Sequence, residues 1–161
     1  MDLFSVNNKN GRLKFGLYNE VIFLKSVNDL LESDNSKCKI VKHPNKYSEI
    51  DFFIYNENNK KILNLELKTR RFRNNNITLY ANCSKFEYIK RKNLENTFLI
   101  WRDYYKEDYY YLHINKENIN SILEMEQHLV FNQFVFHFKT NEVKKCDDIE
   151  TLYNEFKNIL I

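Results

Sequence analysis

The stretch Tyr47-Ser-Glu-Ile-Asp51-Phe-Phe-Ile-Tyr55, continued by Asn56-Glu-Asn-Asn-Lys-Lys61 and Ile62-Leu-Asn-Leu-Glu66-Leu-Lys68-Thr-Arg70-Arg-Phe-Arg73, decides the fold. Ile50 to Tyr55 is bulky, aromatic and β-branched, and Ile62 to Thr69 alternates apolar with polar, so two strands are expected. The Asn-rich, charged residues 56–61 between them have the composition of a hairpin loop. Strand alternation sends Leu63, Leu65 and Leu67 to one face and Asn64, Glu66 and Lys68 to the other. If the hairpin pairs, Asp51 on the neighbouring strand approaches Glu66 and Lys68. An acid beside Glu-x-Lys is a metal site with a built-in cation. Asp51 otherwise lies among residues apolar on both faces, the pattern of a central strand, where a carboxylate is costly without a cation. Two plainer readings stand beside this one. Asp51 at a strand start can bond a neighbouring amide, and Glu66 with Lys68 can form the wet face of an amphipathic strand.

Length and composition set the bounds. At 161 residues, 43% hydrophobic and 29% charged, the chain has the make-up of a soluble globular protein, and one domain is expected over residues 1–161. Met1 to Asn10 is polar and lacks the apolar run of a signal peptide, and no apolar stretch is long enough to span a bilayer. Cys38, Cys83 and Cys146 are odd in number, far apart and without a Cys-x-x-Cys spacing. That pattern argues against a disulfide framework and a structural zinc site, so an intracellular setting, cytoplasmic or nuclear, is expected. The Asn runs read as loops.

Around the hairpin, Leu17, Val21, Leu24, Val27 and Leu31 have helical spacing, and Ser33-Asp34-Asn35-Ser36 ends that helix. Glu20 falls within roughly 40° of Leu24, Val27 and Leu31 on the helical wheel, so it is either a buried acid turned to the site or an edge acid paired with a Lys. Glu49 alternates with Asp51 and ranks below Glu20 as an accessory acid. Cys38 to Lys42 is a short strand ended by His43-Pro44, with His43 a turn residue. Ser84 to Asn93 reads as a helix with a capping box from Ser84 to Glu87. Asn96 to Arg102 and Tyr109 to Ile114 are strands, Asn115 to Gln127 a short helix, Gln133 to Lys139 a strand and Asp147 to Ile161 a C-terminal helix. His113, His128 and His137 share no metal-ligand spacing.

The net charge of +3 says little, but its distribution says more. Residues 60–92 hold ten Lys or Arg against two acids, which leaves the remainder acidic. Arg70, Arg71 and Arg73 flank Lys68, and Lys90, Arg91 and Lys92 form a second group. Cations flanking a cleavage point, with acids at its centre, suit a phosphate backbone. A solvated charge run is the plainer reading of either group alone.

At Asp51 and Glu66-Leu67-Lys68 the chain resembles the PD-(D/E)XK nuclease superfamily, with Ile50 where the motif has its proline. The order helix, strand, strand with Asp, strand with Glu-x-Lys, helix, strand follows that superfamily over roughly residues 15–115. The resemblance implies an α/β fold with a restriction-endonuclease-like αβββαβ core: a mixed sheet with an antiparallel meander flanked by helices, here followed by a C-terminal helix. It implies Mg²⁺- or Mn²⁺-dependent phosphodiester hydrolysis. Asp51, Glu66 and Lys68 would be catalytic, and the metal would be held by Asp51, Glu66 and the Leu67 carbonyl, with Glu20 from the first helix. It also implies that Lys85 and Tyr88 face the site, joining Arg70, Arg71, Arg73, Lys90, Arg91 and Lys92 in binding nucleic acid, with a packing role the equal alternative for Tyr88. DNA is expected over RNA, with no membrane partner, and cutting both strands of a duplex would favour a homodimer. The alternatives are an inactive nuclease fold that binds nucleic acid or serves as a scaffold, and an interaction module whose basic face docks an acidic protein.

Overall fold

The computed structural model describes residues 9–45, 48–72 and 76–160. The chain opens with α1 (Lys9–Ser33), followed by the antiparallel strands β1 (Lys39–Lys42), β2 (Phe52–Tyr55) and β3 (Lys61–Arg70). A short strand, β4 (Leu79–Asn82), leads into α2 (Cys83–Arg91), and β5 (Thr97–Asp103) returns parallel to β3. After β6 (Tyr109–Ile114) come α3 (Ile119–Leu123), β7 (His128–Val130), β8 (Gln133–Phe138), β9 (Lys144–Cys146) and α4 (Ile149–Leu160). Among the described residues the strands form two sheets, ordered β1-β2-β3-β5-β6-β9 and β4-β8-β7. The expected helix, three-stranded meander, helix, strand order is present, in a mixed sheet flanked by helices with a C-terminal helix.

Side-chain alternation builds a core on each face of the larger sheet. Leu63, Leu65 and Leu67 pack with Phe23, Val27 and Leu31 of α1 and Leu152 and Phe156 of α4. Leu99 and Trp101 face the other way, against Phe86 and Ile89 of α2 and Phe136 and Phe138 of β8. Asn64, Glu66 and Lys68 alternate with the β3 leucines and so belong to this second face. It is not a wet face. Asn64 and Glu66 are buried, because β3 lies between β2 and β5 and α2 covers it.

Several local readings need correction. The first helix starts before Leu17, and its buried ridge is Phe15, Asn19, Phe23, Val27 and Leu31, while Val21 is 59% exposed. Packing against the sheet sets the helix's rotation, and several rotations suit its apolar residues. The second helix has Asn82 as its N-cap without a side-chain cap bond. Ser84 lies inside the first turn, so the Ser84–Glu87 capping box does not form. The third helix is five residues long rather than spanning 115–127, and β4, β7 and β9 are strands in stretches to which the sequence assigned no element.

The Asn-rich loops have a physical role. Among the described residues, Asn35, Asn59, Asn93, Asn96 and Asn132 take positive φ, joined only by Glu107 and Phe131 of the non-glycine residues. Asn tolerates the left-handed region better than other side chains. In a chain with two glycines it takes glycine's usual place at helix ends. Asn35 closes α1 with Ser36 N–H donating to Leu31 O, and Asn93 closes α2 with Leu94 N–H donating to Ile89 O. Cys38, Cys83 and Cys146 carry no disulfide. No described helix is long and apolar enough to cross a membrane.

Candidate active site

Strand register places the two carboxylates together. Phe52 pairs with Leu65, so the preceding Asp51 stands opposite Glu66 on the α2 face. Asp51 is pinned at its backbone: its N–H donates to Leu65 O at 3.0 Å, and its carbonyl accepts His43 N–H at 2.7 Å. Its side-chain Oδ2 accepts the Leu67 N–H at 2.8 Å. Asp51 therefore does bond a neighbouring amide, as the plainer reading required, and it does so while facing Glu66. His43 takes the expected turn role, its ring Nδ1 accepting the Asn45 N–H.

Burial pushes the Asp51 carboxyl up to about 8; the charge of Glu66 and a shared hydrogen bond with it add to the rise, and the Leu67 amide and Lys85 oppose it. At neutral pH Asp51 thus holds a proton and can share it with Glu66. Glu66 Oε1 accepts from Lys85 Nζ at 2.5 Å, while its Oε2 is buried and receives no standing N–H or O–H donor. The proton on Asp51, an ordered water or a cation can satisfy that oxygen.

Two lysines complete the cluster. Lys68 Nζ lies 4.0 Å from Glu66 Oε1. Its pKa is lowered to about 8, by burial first and by the positive charges of Lys85 and Arg70, against the opposing charges of Glu66 and Asp51. Lys85 enters from the first turn of α2 and donates to the Glu49 carbonyl at 2.8 Å as well as to Glu66, with the Glu49 carboxylate at 3.5 Å. It is buried and turned inward rather than presented to a substrate. Glu49 is thus nearer the cluster than its ranking below Glu20 anticipated, because it shares Asp51's face. Glu20 pairs with Lys42 of β1 at 2.9 Å; burial raises its pKa, with the charge of Asp51 adding to the rise. The structure does not hydrogen-bond it to Asp51 or Glu66. Among the described residues no group of three or more His, Cys, Asp or Glu side chains gathers to hold a metal. The Asp51–Glu66 pair with its unsatisfied oxygen nevertheless fits a hard cation such as Mg²⁺, which binds through one or two carboxylates and keeps its remaining waters.

Beside the pair, a cavity of about 500 Å³ is lined by Glu20, Leu67, Lys68, Arg70, Tyr80 and Phe131 among others. Lys68 connects the two, lining the cavity and reaching Glu66. Arg70 lies with its guanidinium carbon 5.9 Å from the Tyr80 ring, and Arg71 lies over Phe15 and Tyr104 at 4.3 and 5.4 Å. The Trp101 indole N–H donates to Tyr80 O at 3.2 Å and ties β4 to the main sheet. Arg73 lies outside the described residues.

The second basic group is elsewhere. Lys90, Arg91 and Lys92 are exposed at the end of α2, and the chain then passes Glu95 and Asn96, whose carbonyls accept from Asn64. Asn64 and Arg70 are separated by about 20 Å of extended strand. The two groups that sequence places around one motif therefore sit at opposite ends of β3. Tyr88 is half-buried, with Arg91 over its ring at 5.7 Å. Tyr80 and Phe131 carried no site signal in the sequence: one lies in an unrecognised strand and the other in a turn.

No protein-family model matches the chain, and no curated protein does. A solved structure of D212, a nuclease from a fusselovirus, is similar, with a TM-score of 0.58 at 10% identity over 91% of this chain and 90% of that one. At that identity the likeness shows the fold: this chain has a nuclease-like fold.

Proposed function

We propose that the protein is a metal-dependent nuclease of the PD-(D/E)XK type that hydrolyses phosphodiester bonds, in DNA rather than RNA. The observation that carries this reading is the pairing of Asp51 with Glu66, one buried carboxylate oxygen unsatisfied, beside a cavity lined by Lys68 and Arg70. A bound Mg²⁺ or Mn²⁺ would supply positive charge against the phosphate and acidify water. Asp51 and Glu66 would hold it, with Leu67 and Glu20 at the site's margin.

Lys68, with its lowered pKa, orients the attacking water or stabilises charge on the phosphate, and in its neutral form it can take a proton. Arg70 binds the adjoining phosphate. Lys85 fixes the Glu66 carboxylate by its bond to Oε1 and leaves Oε2 free. The nuclease fold of D212 supports the reading.

One observation favours a second reading. Lys85 already neutralises Glu66 and Lys42 already neutralises Glu20, an arrangement that would also suit an inactive, binding-only nuclease fold. Cleavage of plasmid, single-stranded DNA and RNA with Mg²⁺ or Mn²⁺, alongside Asp51→Ala and EDTA controls, separates the two. Turnover lost in both controls supports the nuclease. Salt-dependent binding without turnover supports the binding module.

A further inference from the structure

Phe131 occupies a position that neither local conformation nor packing explains. Val130 pairs with Gln133, so β7 and β8 are joined by the two-residue turn Phe131-Asn132. Both residues have positive φ, 48° and 61°, the hairpin geometry that favours Asn, Asp and Gly. Asn132 suits it. A bulky aromatic there is a conformational outlier and is held at some cost in stability. Packing does not compensate, since Phe131 is 90% exposed, more than any other large hydrophobic among the described residues.

The location of the ring gives it a use. Phe131 lines the cavity with Lys68, Arg70 and Tyr80, and the same four residues line an adjoining recess of about 180 Å³. Cations that follow a phosphate backbone, interleaved with aromatic faces, are the composition of a single-strand binding groove. In an intact duplex the base faces are occupied by their neighbours and exposing one costs unstacking energy, so an exposed ring at the cavity's edge stacks most readily on a base that is unpaired.

We infer that Phe131, which lines the cavity with Tyr80, is a stacking residue for an unpaired nucleobase, and that the substrate of this site is single-stranded or locally opened nucleic acid. The inference rests on the nucleic-acid reading of the site and adds its substrate class. The strained turn holds the ring where a base flanking the bound phosphate will lie. Unstrained alternatives such as Asn would fold more readily and bind less.

The test is equilibrium binding by the full chain in EDTA, which separates binding from turnover. The probes are a fluorescein-labelled single strand, the matching duplex and the same single strand with 2-aminopurine as a stacking reporter. The expected results are tighter binding of the single strand than of the duplex and a 2-aminopurine change on binding. Phe131→Ala should weaken single-strand binding by about 5- to 100-fold and leave duplex binding unchanged, while Phe131→Trp keeps the affinity. Phe131→Asn should lose the same affinity while its thermal midpoint rises, which loss of folding cannot produce. Wild-type affinity in both Phe131→Ala and Phe131→Asn would overturn the inference, as would a duplex bound as tightly as the single strand. Phe131-dependent binding without Mg²⁺-dependent cleavage would sink the hydrolytic reading alone. Cleavage indifferent to Phe131 would sink this inference alone.

Discussion

Replacing Asp51 by Asn tests the electrostatic argument for the site without relying on activity. The Asp51 carboxyl is held at about 8 against an ordinary 3.8. Between those limits the native state binds a proton that the unfolded chain has released. Stability therefore falls as pH rises from about 4 to about 8 and levels off beyond, by at most ~1.4 kcal/mol per pH unit. Asn cannot ionise. Its carbonyl can accept the Leu67 N–H in place of Oδ2, and its amide can donate to the bare Glu66 Oε2. Asp51→Asn should therefore be more stable than wild type, by a margin that grows from about 1–2 kcal/mol at pH 5 to a few kcal/mol at pH 7. Urea unfolding followed by circular dichroism in EDTA from pH 5 to 8 measures this difference, and other titrating groups cancel between the two proteins. Millimolar Mg²⁺ should then raise the wild-type midpoint by relieving the same repulsion and leave the variant nearly unmoved. A difference that stays flat with pH, or an Asn variant less stable than wild type, would refute the idea that Asp51 and Glu66 share a proton. The cation site would lose its physical basis with it.

Three other outcomes are expected. Lys68→Ala should lower cleavage by roughly 10²- to 10³-fold, the ~3–4 kcal/mol of a lost transition-state donor, with nucleic-acid binding in EDTA retained; normal single-turnover cleavage would remove Lys68 from the mechanism. Arg70→Ala should weaken binding and reduce the salt slope by about one, whereas Lys90→Ala with Lys92→Ala should have a smaller effect from the far end of the sheet, as salt titrations of binding will show. Lys85→Met should cost about 3–5 kcal/mol in EDTA by stranding Glu66 as an uncompensated buried charge. Much of that loss should be recovered in Mg²⁺, and denaturant midpoints with and without the ion decide it.

Much of the main sheet was legible along the chain. The β2–β3 hairpin and the strands β5 and β6 are runs whose local preference and burial agree. What escaped were β4, β7 and β9, three or four residues each. Strands that short carry little periodicity, and their existence depends on partners far along the chain, as Leu79 pairing with Phe138 shows. Val21 misled for a related reason, since α1 has more apolar residues than one stripe needs.

The candidate site divides in the same way. Sequence alone determined that Glu66 and Lys68 share one face, because alternation along a strand is a property of the backbone; the hairpin register, which brings Asp51 opposite Glu66, was decided by the folded sheet. The sequence also placed a loop at Asn58-Asn59, where the β2–β3 turn lies and Asn59 takes positive φ; Asn7, Asn8, Asn74 and Asn75 of the other runs lie outside the described residues. Only the tertiary structure decided which cations answer those acids. Lys85 joins Glu66 from a helix 19 residues on, Glu20 is taken by Lys42, and Lys90 to Lys92 are carried to the other end of β3. It also brought Tyr80 and Phe131, some fifty residues apart, to one cavity. Charge and aromatic character can be read from a residue's name, but the field and the neighbours they meet are set by packing between distant segments, which no local pattern encodes.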